Sequence, residues 1–269
     1  MKSILLYVHD DNGMESRLQA ALDLARATGG HVECITVKPL AALMLSDPFG
    51  ASFIVPAVLE SLDNEAEAAQ RRMAARMAKE DVAWSLIEGD GDAANLIAER
   101  ARLADIVTLT VGGVESKGES SDVLIGDVVM NCRTPVLAVP VQNDPVRFDG
   151  TAIVAWNGTE EAANAMRAAT PLLMNANTVH LVCIGEEDLD YPTTDAAAYL
   201  SRHGIKAEIH LREREGKSVL DALNDAVNNI GADWMVMGAY GSGRLREALF
   251  GGVTRGFLEN SPIPLFITH

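Results

Sequence analysis

Positive charge is scarce in this 269-residue sequence: 22 Lys and Arg stand against 38 Asp and Glu, a formal net charge of −16. A field of that sign opposes nucleic acid and anionic membrane surfaces. Any phosphate ligand therefore has to be held locally, by backbone N–H groups and individual arginines. Cysteine is sparse too. Cys34, Cys132 and Cys183 have no metal-ligand spacing and sit in apolar or strand-like surroundings, as small buried thiols of a reducing compartment do. No apolar run approaches the ~20 residues of a membrane span. The apolar run in residues 1–8 is too short for a signal peptide before His9-Asp10-Asp11. These absences predict a cytoplasmic protein with neither a membrane nor a nucleic acid as partner.

Catalytic signatures are missing as well. No G-x-S-x-G elbow occurs. Gly238-x4-Gly243 continues into Arg244-Leu245 rather than Lys-Ser/Thr, so there is no Walker loop. The six histidines, His9, His31, His180, His203, His210 and His269, form no H-E-x-x-H or other ligand motif. The sequence assigns no catalytic residue and no metal ligand.

What is present is a core and a repeated pattern. Hydrophobic residues make up 48% and charged residues 22%, enough for one large domain or two ordinary ones. Strands are expected at 2–8, 31–37, 82–87, 105–111 and 135–139, with helices at 13–28, 61–79, 93–103 and 121–132. Met14, Leu18, Ala21, Leu22 and Ala25 share a helix face. Gly89-Asp90-Gly91-Asp92-Ala93-Ala94 imitates a dinucleotide fingerprint. However, it follows the third strand, and its carboxylates would repel a pyrophosphate; Asp92 reads as an N-cap. Residues 142–150, with Pro145 and Asp149-Gly150, read as a linker. The order then repeats: strands 151–156, 178–184, 206–211, 233–237 and 263–268, with helices 159–174, 193–203, 217–229 and 252–260. Ala104-Asp105-Ile106-Val107 matches Ala232-Asp233-Trp234-Met235, and Thr134-Pro135-Val136-Leu137 matches Ile263-Pro264-Leu265-Phe266. That is an internal duplication of a five-stranded α/β unit, with domains at 1–141 and 151–269. The connection 38–60 stands apart. It is unusually apolar, with Phe49 and Phe53, and is able to cover the sheet, line a pocket or meet a partner.

The richest stretch is Trp234-Met235-Val236-Met237-Gly238-Ala239-Tyr240-Gly241-Ser242-Gly243-Arg244, running on to Phe250-Gly251-Gly252-Val253-Thr254. A buried strand, a glycine loop and a helix start make an anion cradle, because glycines let backbone N–H groups approach a phosphate and the helix N-terminus adds partial positive charge. Arg244, Arg246 and Arg255 lie in or near the loop. The spacing Gly238-x2-Gly241-x9-Gly251 after an apolar strand resembles the universal stress protein family. Its nucleotide-binding members carry G-x2-G-x9-G followed by Ser or Thr; here that next residue is Gly252.

The whole chain resembles a tandem universal stress protein. That resemblance implies two Rossmann-like parallel sheets of the adenine-nucleotide alpha-hydrolase type, strand order 3-2-1-4-5. It also implies halves paired about a pseudo-two-fold axis through their last strands, as a dimer within one chain or a further homo-oligomer. The implied ligand is ATP or another adenine nucleotide with Mg2+, and the implied role is in the stress response through ligand-dependent assembly or partner binding, with at most slow ATP hydrolysis. Carried over by position, Asn157, where the family usually has Asp, would meet base or ribose, and the Ile184 backbone the adenine edge. Met237 and Gly238 match ribose and phosphate contacts. Gly241, Ser242, Arg244, Gly251, Gly252 and Val253 match the phosphate cradle. Trp156, at a strand end, reads as packing. The N-terminal half lacks the loop: Gly112-Gly113-Val114-Glu115 follows Val111, and Asp122 and Val123 stand where Gly251 and Gly252 do. Its His9 falls about where Asn157 does, and it reads as a degenerate partner. The alternative is a scaffold that binds no nucleotide and uses segment 38–60 for a partner or hydrophobic ligand.

Overall fold

The computed structural model describes residues 1–38, 56–112, 121–142, 144–185, 191–239 and 252–269. Gly241, Ser242, Arg244 and Gly251 lie outside the described residues, as do Gly113-Val114-Glu115 and most of the apolar connection, including Phe49 and Phe53.

Ten strands form a single sheet: β1 (Ser3–Val8), β2 (His31–Lys38), β3 (Ala83–Asp90), β4 (Ile106–Val111), β5 (Val136–Pro140), β6 (Thr151–Trp156), β7 (Thr178–Ile184), β8 (Ala207–Arg212), β9 (Trp234–Gly238) and β10 (Leu265–Thr268). The strand order is β3-β2-β1-β4-β5-β10-β9-β6-β7-β8. Neighbours run parallel except β5 and β10, which pair antiparallel with Leu265 opposite Ala138 and Ile267 opposite Val136. The sequence leads one to expect two five-stranded sheets; the β5–β10 ladder joins them into one. That pairing removes two open edges, each a row of unsatisfied N–H and C=O groups.

Helices cover both faces. α1 (Met14–Thr28), α2 (Pro56–Met77), α5 (Glu160–Leu173) and α6 (Thr193–Arg202) contribute to one buried cluster. α3 (Ala93–Arg100), α4 (Ser121–Asn131), α7 (Val219–Ile230) and α8 (Gly252–Glu259) contribute to the other. Strands buried on two faces carry continuous apolar runs rather than alternation, as Val136–Pro140 does; Ile106–Val111 is buried throughout with Thr108 and Thr110 among its apolar residues. Asp92 caps α3 by accepting from Asn95 N, as its position predicts. α1 ends at Gly29 in the left-handed region, where glycine has no Cβ penalty.

Two expectations change. β3 runs on through Gly89-Asp90, because Val37 and Lys38 pair opposite those residues. The predicted linker is docked: Val146 and Phe148 are buried in the α1/α5 cluster, and Phe148 lies against the Trp234 ring at a centroid distance of 5.8 Å. Asp23 on α1 accepts the Val146 N–H at 2.9 Å. Each apolar cluster contains residues from both halves of the chain. Among the described residues, no helix is long and apolar enough to cross a membrane.

Candidate functional site

In open α/β sheets a crevice forms beyond the carboxyl ends of the strands, where the strand order reverses. Between β6 and β9 that crevice is a cavity of ≈ 290 Å³, at the small end of the ~300–1,000 Å³ range of small-molecule sites. Asn157, Ile184, Met237, Gly238, Gly252 and Val253, six of the residues that the sequence pattern singles out, line it together. Val182, Val219 and Leu223 supply an apolar wall. Thr159, Glu161 and Thr254 add polar groups that the sequence pattern did not single out. They come from the helix starts that frame the opening, and no spacing rule marks them. A larger groove of ≈ 780 Å³ runs between α5 and α6, and its walls are mostly helix flanks, met at one end by Trp156 and Gly158. Trp156 touches both spaces, yet its indole N–H donates to the Tyr191 carbonyl at 3.1 Å and the ring is buried. It is a packing residue.

Local geometry sets what each group offers. Asn157 Oδ1 accepts from Thr159 Oγ1 at 2.9 Å and Thr159 N at 3.3 Å, closing the turn into α5. Its carboxamide nitrogen is the part left for a ligand. Gly238 is a glycine because α5 passes close: an added Cβ would stand 2.5 Å from Ala162 N and from the Glu161 carbonyl carbon. Gly252 opens α8, and a Cβ there would meet nothing within 4 Å. Helix-start N–H groups point out of the first turn unpaired. Glu161 brings a carboxylate to the same wall.

At the matching strand ends of β1 and β4 a buried arginine bridges the two strands. Ile4 pairs with Ile106 and Ala152 with Trp234, so Thr110 occupies in β4 the place that Gly238 has in β9. Arg17, only 2% exposed, reaches these strands from α1. Its Nε donates to the Tyr7 carbonyl at 2.8 Å, Nη1 to Thr110 Oγ1, and Nη2 to Asp11 Oδ2 at 2.9 Å. Burial alone would raise the Asp11 carboxyl. The hydrogen bond to His9 and the charge of Arg17 outweigh it and hold Asp11 well below the usual carboxylate range. His9 sits 3.3 Å from Asp11 Oδ2.

Residues 150–269 match the model of the universal stress protein family. A universal stress protein of Mycobacterium tuberculosis (strain H37Rv) is 34% identical over 74 residues, 28% of this chain and 25% of that protein. The match thus spans about a quarter of the curated relative's length. The crystal structure of a universal stress protein from Archaeoglobus fulgidus overlays on 99% of this chain and 96% of its own at a TM-score of 0.75, with 15% identity, which establishes the fold. A universal stress protein solved in complex with cAMP aligns with 45% of this chain and 96% of its own, at 20% identity and a TM-score of 0.37. The chain carries a universal stress protein family domain at residues 150–269.

Proposed function

We propose that residues 151–269 bind an adenine nucleotide, ATP or AMP, and that occupancy changes assembly or partner binding, with ATP hydrolysis at most slow. The observation that carries this reading is the cavity between β6 and β9, in which Asn157, Ile184, Met237, Gly238, Gly252 and Val253 converge. The residues present fit the ligand. Val182, Ile184, Leu223 and Met237 form an apolar slot for a base, with the Ile184 backbone at its edge. The Asn157 carboxamide faces base or ribose. The start of α8, with Gly241, Ser242, Arg244 and Gly251, holds the phosphates, and Mg2+ accompanies them. Gly252 has no hydroxyl for the terminal phosphate, which limits hydrolysis. In the same reading, 1–141 and 151–269 are two universal-stress-type units joined by 142–150. They are related by a pseudo-two-fold axis at the β5–β10 seam, so that one chain is its own dimer, in the cytoplasm.

Thermal unfolding with and without Mg-ATP, Mg-ADP and AMP tests this. A ligand at ~100 times its dissociation constant adds about 2.7 kcal/mol, which is several degrees at roughly 2–4 °C per kcal/mol. Gly252→Asp has open space at its Cβ and sets a carboxylate where the phosphate would lie. It should abolish the shift and leave the ligand-free midpoint in place. No shift with any nucleotide in protein shown to contain none would end this reading.

A further inference from the structure

At the far edge of the sheet, β7 and β8 bring three ligand-type side chains together. β8 is the outer strand and pairs in parallel with β7, His180 opposite Glu208 and Val182 opposite His210. Residues two apart on a strand share a face. Glu208 and His210 therefore project together, and His180 joins them from the next strand. His180 Nδ1 lies 2.8 Å from His210 Nε2. One Glu208 oxygen lies 3.7 Å from His180 Nδ1, and the other 3.6 Å from His210 Nε2. We infer that His180, Glu208 and His210 form a binding site for a divalent transition-metal ion of the zinc class.

The donor set is the first support. Two imidazole nitrogens and one carboxylate suit zinc and its neighbours, not the all-oxygen preference of magnesium or calcium. The spacing is the second. Bonds of about 2.0–2.1 Å in a tetrahedron set the donor atoms about 3.3 Å apart, and the three separations lie on either side of that value. An ion enters with a small spreading of the two rings and no change of backbone. A hydrogen-bonded histidine pair alone would account for the 2.8 Å contact. It would not account for a carboxylate that turns one oxygen to each of the same two nitrogens. The third support is a comparison within the sheet. At the corresponding register of β2 and β3 stand Glu33, Ser85 and Ile87, so the sheet itself does not demand the cluster. Among the described residues, no other trio of His, Cys, Asp or Glu side chains converges in this way.

The arrangement also sets the mode of binding. The His180 and His210 side chains are mostly covered, whereas Glu208 is 69% exposed. The site thus opens to solvent on the carboxylate side and leaves a fourth position for water. In the ion-free form the two facing nitrogens share one proton. Loading moves that proton to the far nitrogen of the ring that carries it, which leaves both facing nitrogens as ligands. The ion would tie the edge strand β8 to β7, independently of the nucleotide cavity.

The test is calorimetric titration of the chelator-treated full chain with Zn2+, with no nucleotide present, backed by the visible absorption of bound Co2+. One equivalent should bind. Affinity should fall at least about tenfold in His210→Ala and in Glu208→Gln, since even the loss of a group supporting a ligand costs 10–100-fold. Glu208 is a surface residue, so that variant keeps the fold, and circular dichroism checks both. Cys132→Ser and Gly252→Asp should bind as the wild type does, which separates this site from the thiols and from the nucleotide cavity. Absence of stoichiometric binding to the folded wild type, or undiminished binding in His210→Ala and Glu208→Gln, would overturn the assignment.

Discussion

The strand ends of β6 and β9 frame a cavity, whereas those of β1 and β4 are bridged by a buried arginine, although the same strand geometry makes both. The difference lies in a few side chains. Where β4 carries Thr110, β9 carries Gly238, and the helix start packed against each is the complement: Gly13 beside Thr110, Glu161 and Ala162 beside Gly238. One glycine is needed at each helix–strand approach, and the two halves place it on opposite partners. In the first half Arg17 packs beside that approach, bonded to Tyr7, Thr110 and Asp11. In the second half Ala165 is fully buried on α5, and a cavity lies at the strand ends. A shared fold thus leaves what stands at the strand ends to individual residues.

The largest expected effect comes from breaking the Arg17–Asp11 pair. Asp11→Asn leaves the Arg17 charge buried without its partner, and loss of one member of a buried pair costs about 3–5 kcal/mol. Denaturant unfolding at neutral pH measures it. The effect has a pH signature. The folded carboxyl sits below its unfolded value, which is about 3.9. Its contribution is therefore fully present above that pH and is lost as pH falls toward the folded value. The stability gap between wild type and Asp11→Asn should be constant from pH 7 to about 5 and shrink below about 4.

Gly13→Ala sharpens the glycine comparison. The added Cβ would overlap the Thr110 side chain, and overpacking of this kind costs about 1–3 kcal/mol. Removing the obstacle in Gly13→Ala/Thr110→Gly should return part of that loss, measured as a coupling in a double-mutant cycle. Equal losses in the single and double variants would show that the two positions do not exchange roles.

Much of the fold was legible in the sequence because strands buried on two faces write themselves as apolar runs. The misread parts depend on partners far away. Nothing local extends β3 through Gly89-Asp90; Val37 and Lys38 do so across the ladder. Val146 and Phe148 are too few to show a period, yet both are buried. At the site, the glycine spacing points to the cavity, but Gly238 is there at least as much for the passage of α5 as for a ligand. Thr254 and Glu161 were invisible because helix placement, not spacing, brings them in. His180, Glu208 and His210 show no motif because their meeting depends on the register of two parallel strands.

The smallest effect comes from Gly252→Ser. A Cβ at this position meets open space, and a new hydroxyl bond to a phosphate adds about 1.5 kcal/mol at the low end for a charged acceptor, roughly tenfold in affinity. Calorimetry with Mg-ATP should show the gain, with little change for AMP. Equal gains for both nucleotides would place the hydroxyl away from the terminal phosphate.

The most direct test of the contrast between the two crevices is hydrogen exchange of the full chain with and without saturating Mg-ATP. Added protection should be confined to the turn at 157–161, the end of β7 at 184–185, residues 237–251 and the start of α8 at 252–254. Protection around 9–13 and Thr110, or none in either crevice, would contradict the account.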